Sequence, residues 1–264
     1  MRNLSLLLMF FLFISALKAE KEIIIQSTTS LKNSGFYNFI SPLIYKDLGI
    51  RINVVAVGTG AAIRNSMNCD GDLLIVHSPQ QEKLFIDSGY ANQAHYIMHN
   101  YFIVIGPKKD PAKIEGLNVK NAFTRIFQKQ SYFISRGDNS GTDNKEKAIW
   151  RSLKLNPLQF SVDWYLETGT NMGSTINVAV GLNAYTFTDK ATWISFNNKL
   201  DFKIYVDNDD YLINKYSALT VSKKKCPHSK LQFSSEVLSW LISSETQNKI
   251  IKFKKNNKQL FFIK

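Results

Sequence analysis

Residues 132–142 read Tyr-Phe-Ile-Ser-Arg-Gly-Asp-Asn-Ser-Gly-Thr, and this stretch decides the fold class. The first three residues form an apolar run that predicts a buried strand. The polar, glycine-containing residues 135–142 predict a loop, and residues 143–153 after it are predicted to form a helix. A strand that passes through a loop into a helix is the repeating unit of α/β folds. The stretch therefore predicts an α/β protein.

The same alternation of strand and helix continues on both sides of this stretch. Because strands that alternate with helices form βαβ units, the pattern predicts a mostly parallel sheet with helices on both faces. We expect Pro42 to kink or break the helix in which it lies, and Gly49 to end that helix. The predicted strands are residues 23–26, 52–57, 73–76, 101–105, 132–134, 184–187 and 216–221, and the predicted helices are residues 36–44, 61–67, 81–88, 121–127, 143–153, 174–181, 231–242 and 246–252.

The N-terminus has the pattern of a secretory signal peptide. A positive start, Met1-Arg2-Asn3, precedes an apolar run over residues 4–17 and then Lys18-Ala19-Glu20. The run is shorter than the roughly 20 residues that a membrane span needs, and it fits the apolar core of a signal peptide. We place cleavage after Ala19, with Ala16 as the alternative, and expect an exported, periplasmic protein.

The net charge of +12 is the unusual bulk property. The excess lysines are scattered, with denser groups in residues 223–225 and 249–264, and no nucleic-acid motif accompanies them. We therefore expect a solvated basic surface that attracts anions, and no nucleic-acid partner. A basic protein associated with membranes stays open as an alternative.

The chain has two cysteines, Cys69 and Cys226. An oxidising compartment permits a disulfide, but two cysteines do not define a framework, so a disulfide and two free thiols both stay open. Neither the cysteines nor the four histidines are clustered at metal-ligand spacing. We therefore expect neither a metal ion nor a cofactor.

Three predicted strand-to-helix junctions share small residues and hydroxyls. The first residues of a helix carry backbone N–H groups without intrahelical partners, and the helix dipole favours negative charge there. Such junctions are natural anion sites, although Ser and Thr are also favoured as simple helix caps. The three junctions are Ser27-Thr28-Thr29-Ser30, Gly58-Thr59-Gly60 and Ser140-Gly141-Thr142.

Two further residues are candidates for the same site. Arg136 precedes the third junction, and its guanidinium can donate a charge-assisted fork to an oxyanion or instead form a surface ion pair. Ser78 follows the predicted strand 73–76, where a role in the turn is the alternative. Three junctions and one arginine together are as compatible with a binding site for a small oxyanion as with helix capping, so both interpretations stay open.

Several motifs resemble one family, the tungstate-binding component of ABC transporters, called TupA, within the type II periplasmic binding proteins. The similarity runs over essentially the whole mature chain, and the Ser-Arg-Gly-Asp-x-Ser-Gly-Thr stretch is its most specific part. The family usually has Thr in place of Ser27, Asp in place of Asn139 and Ala in place of Ser78. The matching segments are residues 27–30, 54–60, 72–77, 135–142, 172–173 and 184–189.

The resemblance implies two α/β lobes that close on one oxyanion without catalysis. Lobe I is residues 20–104 and 216–264, lobe II is residues 105–215, and strands 101–105 and 216–221 cross between them. The implied partners are tungstate, or molybdate, and the membrane permease and ATPase of an importer, with the protein acting as a monomer. The implied ligand-binding residues are Thr28, Thr29, Ser30, Gly58, Thr59, Ser78, Arg136, Ser140, Gly141 and Thr142.

Two other ligand or activity classes stay open. Tungstate and molybdate carry no proton at neutral pH, so a site made only of donors suits them, whereas hydrogen phosphate needs an acceptor. Asp138 and Asp143 are close enough in sequence to keep phosphate open, and sulfate is a further alternative. A hydrolase using Ser or Thr would need a neighbouring base, and His77 alone lies near a candidate loop.

Overall fold

The computed structural model describes residues 20–160, 163–207 and 209–263. The predicted signal peptide, residues 1–19, lies outside the described residues. In chain order the elements are β1 (Lys21–Thr28), α1 (Thr29–Asn33), α2 (Phe36–Leu48), β2 (Ile50–Val57), α3 (Thr59–Met67), β3 (Leu73–Val76), α4 (Pro79–Asp87), β4 (His95–Pro107), α5 (Val119–Lys129), β5 (Phe133–Ser135), α6 (Gly141–Ser152), a 3₁₀ turn (Pro157–Phe160), β6 (Tyr165–Glu167), α7 (Met172–Gly181), β7 (Tyr185–Asp189), α8 (Lys190–Ser195), β8 (Phe202–Val206), a second 3₁₀ turn (Asp210–Leu212), β9 (Ile213–Thr220), α9 (Leu231–Ile242), α10 (Ser244–Lys252), β10 (Lys254–Lys255) and β11 (Lys258–Gln259).

Nine of these strands form one sheet in the order β2-β1-β3-β9-β4-β7-β5-β6, with β8 also paired to β4. Strands β2, β1 and β3 are parallel, and so are β6, β5 and β7. Each antiparallel pair in the described part of this sheet includes β4 or β9. The predicted α/β fold with parallel strands and helical connections is therefore confirmed.

Strand β4 joins the two parts of this sheet. Residues 95–101 pair with β9, and from Phe102 onward the strand pairs with β7 and β8. We call β2, β1, β3 and β9 the first half-sheet, and β7, β5, β6 and β8 the second half-sheet. The proposed crossover residues 101–105 lie within β4, and residues 216–221 overlap β9.

Each half-sheet has its own hydrophobic core. Phe36, Tyr216 and Phe261 are buried in the core around the first half-sheet. In the core around the second half-sheet, the ring centroids of Phe123 in α5 and Trp150 in α6 are 4.4 Å apart. Helix α8 follows β7 in the second half-sheet, yet its Ala191 and Ile194 pack into the first core.

Of the predicted kink or break at Pro42, the break is wrong, because α2 runs unbroken from Phe36 to Leu48 and contains this proline. Pro42 lies on the exposed side of the helix, and so does Asn38, whose carbonyl group loses its helical donor. Water can hydrate that carbonyl, while Phe36, Ile40 and Ile44 anchor the opposite face in the core. Gly49 ends the helix in a left-handed conformation, as predicted.

Cys69 and Cys226 form a disulfide, which decides between the two alternatives that the sequence leaves open. Cys69 follows α3, and the fully buried Cys226 lies between β9 and α9, so the bridge joins two segments beside the first half-sheet. Among the described residues, none of the helices is both long and apolar enough to cross a membrane.

Candidate functional site

The three predicted junctions lie at the ends of parallel strands. In the first half-sheet, Thr28 at the end of β1 pairs with Val57 at the end of β2, and β3 runs parallel to β1. Helices α1, α3 and α4 therefore begin at one edge of this half-sheet. In the second half-sheet, β5 ends at Ser135 and leads to α6, which begins at Gly141. Ligands of open α/β sheets bind at such carboxyl edges.

Arg136 is a buried cation in the loop between β5 and α6. Its side chain is only 4% exposed, and its Nη2 group donates to the carboxylate of Asp138. Its Nε group is buried and has no hydrogen-bond partner among the described residues. The hydroxyl of Thr142, in the first turn of α6, is likewise buried and unpartnered. Because buried polar groups are nearly always hydrogen-bonded, these two donors mark where an acceptor can bind.

Two carboxylates fix the loop that carries Arg136. Besides contacting Arg136, Asp138 accepts a hydrogen bond of 3.1 Å from the backbone N–H of Ser140. Asp143 accepts from the backbone N–H groups of Gly137 and Asn139 at 3.1 and 3.0 Å. All four carboxylate oxygens of the two residues therefore have donors from the chain itself.

The first junction combines capping with a hydroxyl pair. Thr28 caps α1 by accepting from the backbone N–H of Leu31 at 3.4 Å, and its hydroxyl lies 3.2 Å from that of Ser30. Ser27, where the TupA pattern has Thr, donates to the carbonyl of Ile75 and accepts from the hydroxyl of Tyr37. The hydroxyl of Ser27 therefore has a structural role, and the substitution by serine preserves it.

The second and third junctions meet across the cleft between the two half-sheets. The backbone N–H of Gly141 donates to the hydroxyl of Thr59 at 3.3 Å. Thr59 is buried at the start of α3, and Gly58 before it has no neighbouring atom within 4 Å of an added Cβ. Ser140 caps α6 by accepting from the backbone N–H of Asp143 at 3.2 Å, so its own hydroxyl proton stays available. Capping and ligand binding are thus compatible at this junction.

Ser78 lies beside the junctions in a cavity of about 430 Å³ that it shares with His77 and Gly141. Its hydroxyl does not cap α4, but its backbone N–H donates to the carboxylate of Glu82 at 2.8 Å. Ser78 is therefore a buried residue of the cavity wall whose hydroxyl is not used as a helix cap.

His77 lines the same cavity as Ser78 and Gly141, a position that the sequence pattern did not predict. Its Nδ1 atom lies 2.9 Å from Oδ1 of Asn214 on β9, and its ring stacks at a tilt on Tyr216 with 4.9 Å between centroids. Burial lowers its pKa to about 4, opposed by the Asn214 contact and reinforced by the positive charge of Arg136. The ring is therefore neutral at neutral pH, and Nδ1 donates to Asn214.

The available signal for these missed residues was weak. Asn214 and Tyr216 lie on β9, and Tyr216 also interacts with the hydroxyl of Ser30. Asn214 is one of several polar residues in β9, which also contains Lys215, Ser217 and Thr220, so its sequence context gives little indication of a role. Only the pairing of β9 between β3 and β4 brings it beneath His77.

Glu146, one turn and a half into α6, is a buried carboxyl behind the site. Its Oε1 atom accepts hydrogen bonds from Trp150 at 3.0 Å and from Tyr165 at 2.8 Å. Burial nevertheless raises the pKa of Glu146 from 4.5 to about 7. Since the pKa is higher in the folded chain, the stability contributed by protonated Glu146 is full below about pH 4.5 and is lost as pH rises through 7.

Glu146→Gln should therefore remove part of the pH dependence of stability. We expect the free energy of unfolding of the variant, relative to that of the unmodified protein, to increase by about 3 kcal/mol between pH 4.5 and pH 8, since one pKa unit corresponds to about 1.4 kcal/mol. Urea unfolding at a series of pH values measures this difference. Exposed Glu245→Gln is the control, and parallel curves for Glu146→Gln and the unmodified protein would contradict the expectation.

Three histidine rings in the described part of the chain contact groups other than a serine or threonine hydroxyl. The His77 ring contacts Asn214, His95 contacts Gln93 and His99 contacts Tyr96, and none of these rings hydrogen-bonds a serine or threonine hydroxyl. A hydrolase of the Ser or Thr type requires such a pair. These three histidines are therefore not paired with a hydroxyl in the way that the hydrolase alternative requires.

Comparison with known proteins identifies the family. A family model described as a PBP superfamily domain matches residues 16–245. The tungstate-binding protein TupA of Campylobacter jejuni is 37% identical over 238 residues, which are 89% of this chain and 88% of the relative. The tungstate-binding protein TupA of Peptoclostridium acidaminophilum is 34% identical and is covered over 82% of its length. The chain belongs to the TupA family.

A solved TupA structure has the same fold. The tungstate-binding protein TupA from Desulfovibrio alaskensis G20 is 38% identical, with a TM-score of 0.81 over 91% of this chain and 98% of that one. Membership of the TupA family makes the chain a solute-binding protein of the type II periplasmic class. The family assignment that the sequence motifs indicated is confirmed.

Proposed function

We propose that this protein captures tungstate between its two lobes and delivers it to an ABC importer. One observation carries the proposal: Arg136 Nε and Thr142 Oγ1 are buried donors without partners in the described chain, at a helix start that faces Thr59 across the cleft. A tetrahedral dianion presents an acceptor on each oxygen, so it can satisfy both donors together. The names of the TupA relatives supply the identity of the anion.

The proposed ligand shell draws on both lobes. Lobe I is residues 20–104 and 216–264, and lobe II is residues 105–215, with α8 packed at the boundary. The binding residues are those of the three junctions together with Ser78 and Arg136: Thr28, Thr29, Ser30, Gly58, Thr59, Ser78, Arg136, Ser140, Gly141 and Thr142.

The engaged carboxylates favour a fully deprotonated anion over hydrogen phosphate. Each oxygen of Asp138 and Asp143 already accepts a hydrogen bond from the chain, so these carboxylates have only their remaining lone pairs to offer a ligand hydroxyl. A buried hydroxyl without an acceptor costs roughly 1–3 kcal/mol. Sulfate has the same charge as tungstate and lacks a proton, so selectivity against sulfate depends on how well the smaller anion fits the closed cleft.

The transport role follows from the family. We propose that residues 1–19 direct export to the periplasm, where the mature chain acts as a monomer and docks on the permease and ATPase of its importer. A related protein of Haloferax volcanii, 33% identical over 92% of this chain, is named a putative ABC transporter anion-binding protein. Molybdate, which resembles tungstate in charge and shape, is the alternative cargo.

Calorimetric titration of the mature protein tests the proposal. We expect a strong signal with tungstate, a weaker signal with molybdate and none with sulfate or phosphate in the same buffer. Nanomolar capture corresponds to about −12 kcal/mol. A response to sulfate or phosphate without one to tungstate would overturn the assignment of the cargo. If phosphate binds, the neutral ring of His77 is the first acceptor to test.

A further inference from the structure

Gly141 is enclosed by two residues from the opposite lobe. The backbone N–H of Gly141 donates to the hydroxyl of Thr59 at 3.3 Å. The imidazole of His77 lies against the Cα atom of Gly141. A Cβ atom added to Gly141 would lie 2.5 Å from Cε1 and 2.7 Å from Nδ1 of His77. Cβ atoms essentially never come within 3.0 Å of a neighbour, so even alanine does not fit in this arrangement.

The ring of His77 cannot easily move aside. Its Nδ1 group donates to Asn214, and Nδ2 of Asn214 donates to Asn100 on β4 at 2.7 Å. The ring also packs against Tyr216, with 4.9 Å between ring centroids. Asn100, Asn214 and Tyr216 all lie on β4 and β9, the strands between the lobes. The imidazole is thus a rigid surface fixed to the hinge strands.

The local backbone does not require glycine at position 141. Gly141 is the first residue of α6, it lacks the left-handed φ that favours glycine, and Ser140 caps the helix. Alanine is tolerated at such a position and has the highest helix propensity. The three atoms nearest to an added Cβ all belong to His77, so the obstacle to a side chain is this contact, which exists when the two lobes are together.

We propose that Gly141 and His77 form the closure contact of the cleft, so that the missing side chain at position 141 permits full closure on the ligand. The contact places the start of α6, with Thr142 and the preceding Arg136, opposite Thr59. Gly141 is then a positioning residue whose backbone N–H binds the opposite lobe. This inference rests on the proposed function, because closure matters only if the cleft captures a ligand.

The consequence concerns the equilibrium between open and closed forms. A ligand held by both lobes binds tightly only in the closed form, so its apparent affinity falls with the population of that form. A side chain at position 141 that clashes only on closure lowers this population. The folded state of the ligand-free protein, whose lobes can separate, should be little affected.

Gly141→Ala tests the inference. We expect the thermal midpoint of the ligand-free variant to stay within a few degrees of the unmodified protein, while tungstate affinity falls about tenfold or more, mainly through faster dissociation. Small-angle scattering should show a smaller decrease in radius of gyration on adding tungstate. Gly173→Ala, near the start of α7, is the matched control, because its added Cβ meets only Asn171 of its own cap at 3.4 Å.

A double-mutant cycle separates closure from a general structural effect. His77→Ala removes the ring, so Gly141→Ala in that background should cost much less affinity than it does alone. Equal losses in both backgrounds would overturn the inference, as would wild-type affinity and compaction in Gly141→Ala. Failure of the unmodified protein and Gly173→Ala to bind tungstate would instead overturn the proposed cargo. The cycle would then be measured with whichever oxyanion they bind.

Discussion

Replacing Arg136 by alanine should weaken tungstate binding by about 30-fold or more, the largest loss that we expect from one side chain in the cleft. Removing one partner of a buried charge-assisted interaction costs roughly 2–5 kcal/mol, and about 1.4 kcal/mol corresponds to a tenfold change in affinity. Arg136 is 4% exposed, and its Nε group has no partner within the described chain. Titration calorimetry of the folded variant measures the loss.

Two matched variants make this result specific. Arg136→Lys keeps the charge but loses the planar fork, so we expect an affinity between those of the alanine variant and the unmodified protein. Arg151→Ala removes the same charge from the exposed last turn of α6 and should leave the affinity unchanged. Unchanged affinity in Arg136→Ala would remove this residue from the site, and equal losses in Arg151→Ala would point to net charge instead.

The sequence could predict the components of the site because each is local. Residues 54–60 and 132–142 each contain a strand, a polar turn and the start of a helix, and the turn chemistry is readable without any neighbour. Parallel strands then place these turns at one edge. The fold class, the family and the position of the third junction followed from such segments.

The closure contact could not be predicted, because it depends on residues far apart in the chain. His77 and Asn214 come together through the pairing of β3 with β9, and Gly141 reaches His77 from the start of α6 beside the second half-sheet. From the sequence, His77 was only the one histidine near a candidate loop, since Asn214 is far from it in the chain. Pro42 illustrates the reverse error: a local rule predicted a break, but the buried face of α2 holds the helix together.

Short elements escaped prediction for a related reason. Strand β6 has three residues, too few to show an alternation of apolar and polar side chains. It forms because its backbone pairs with β5. Helix α8 has six residues, too few for a helical pattern of apolar residues, and the only sequence feature that marks its start is the N-cap residue Asp189. Asp189 accepts from the backbone N–H of Thr192 at 2.8 Å.

Removing the disulfide should destabilise the protein without changing its ligand affinity. Cys69 and Cys226 are 157 residues apart, and a crosslink over so long a loop removes much of the conformational freedom of the unfolded chain. The chain-entropy account predicts a loss of about 5 kcal/mol, and measured losses for native disulfides are typically 2–5 kcal/mol. We expect Cys69→Ala/Cys226→Ala to lower the free energy of urea unfolding by about 3 kcal/mol or more.

Alanine is preferable to serine here, because Cys226 is fully buried and a serine would bury an additional hydroxyl. The unmodified protein in reductant should unfold at nearly the same urea concentration as the double variant, since both lack the crosslink. Tungstate affinity should stay within about twofold in the folded variant, because the bridge lies within lobe I and leaves the closure contact intact.

Two reactive thiols in the unfolded, unreduced protein would show that the bridge does not form. In that case the double variant and the unmodified protein should be equally stable, and the stability of lobe I must come from its hydrophobic core alone.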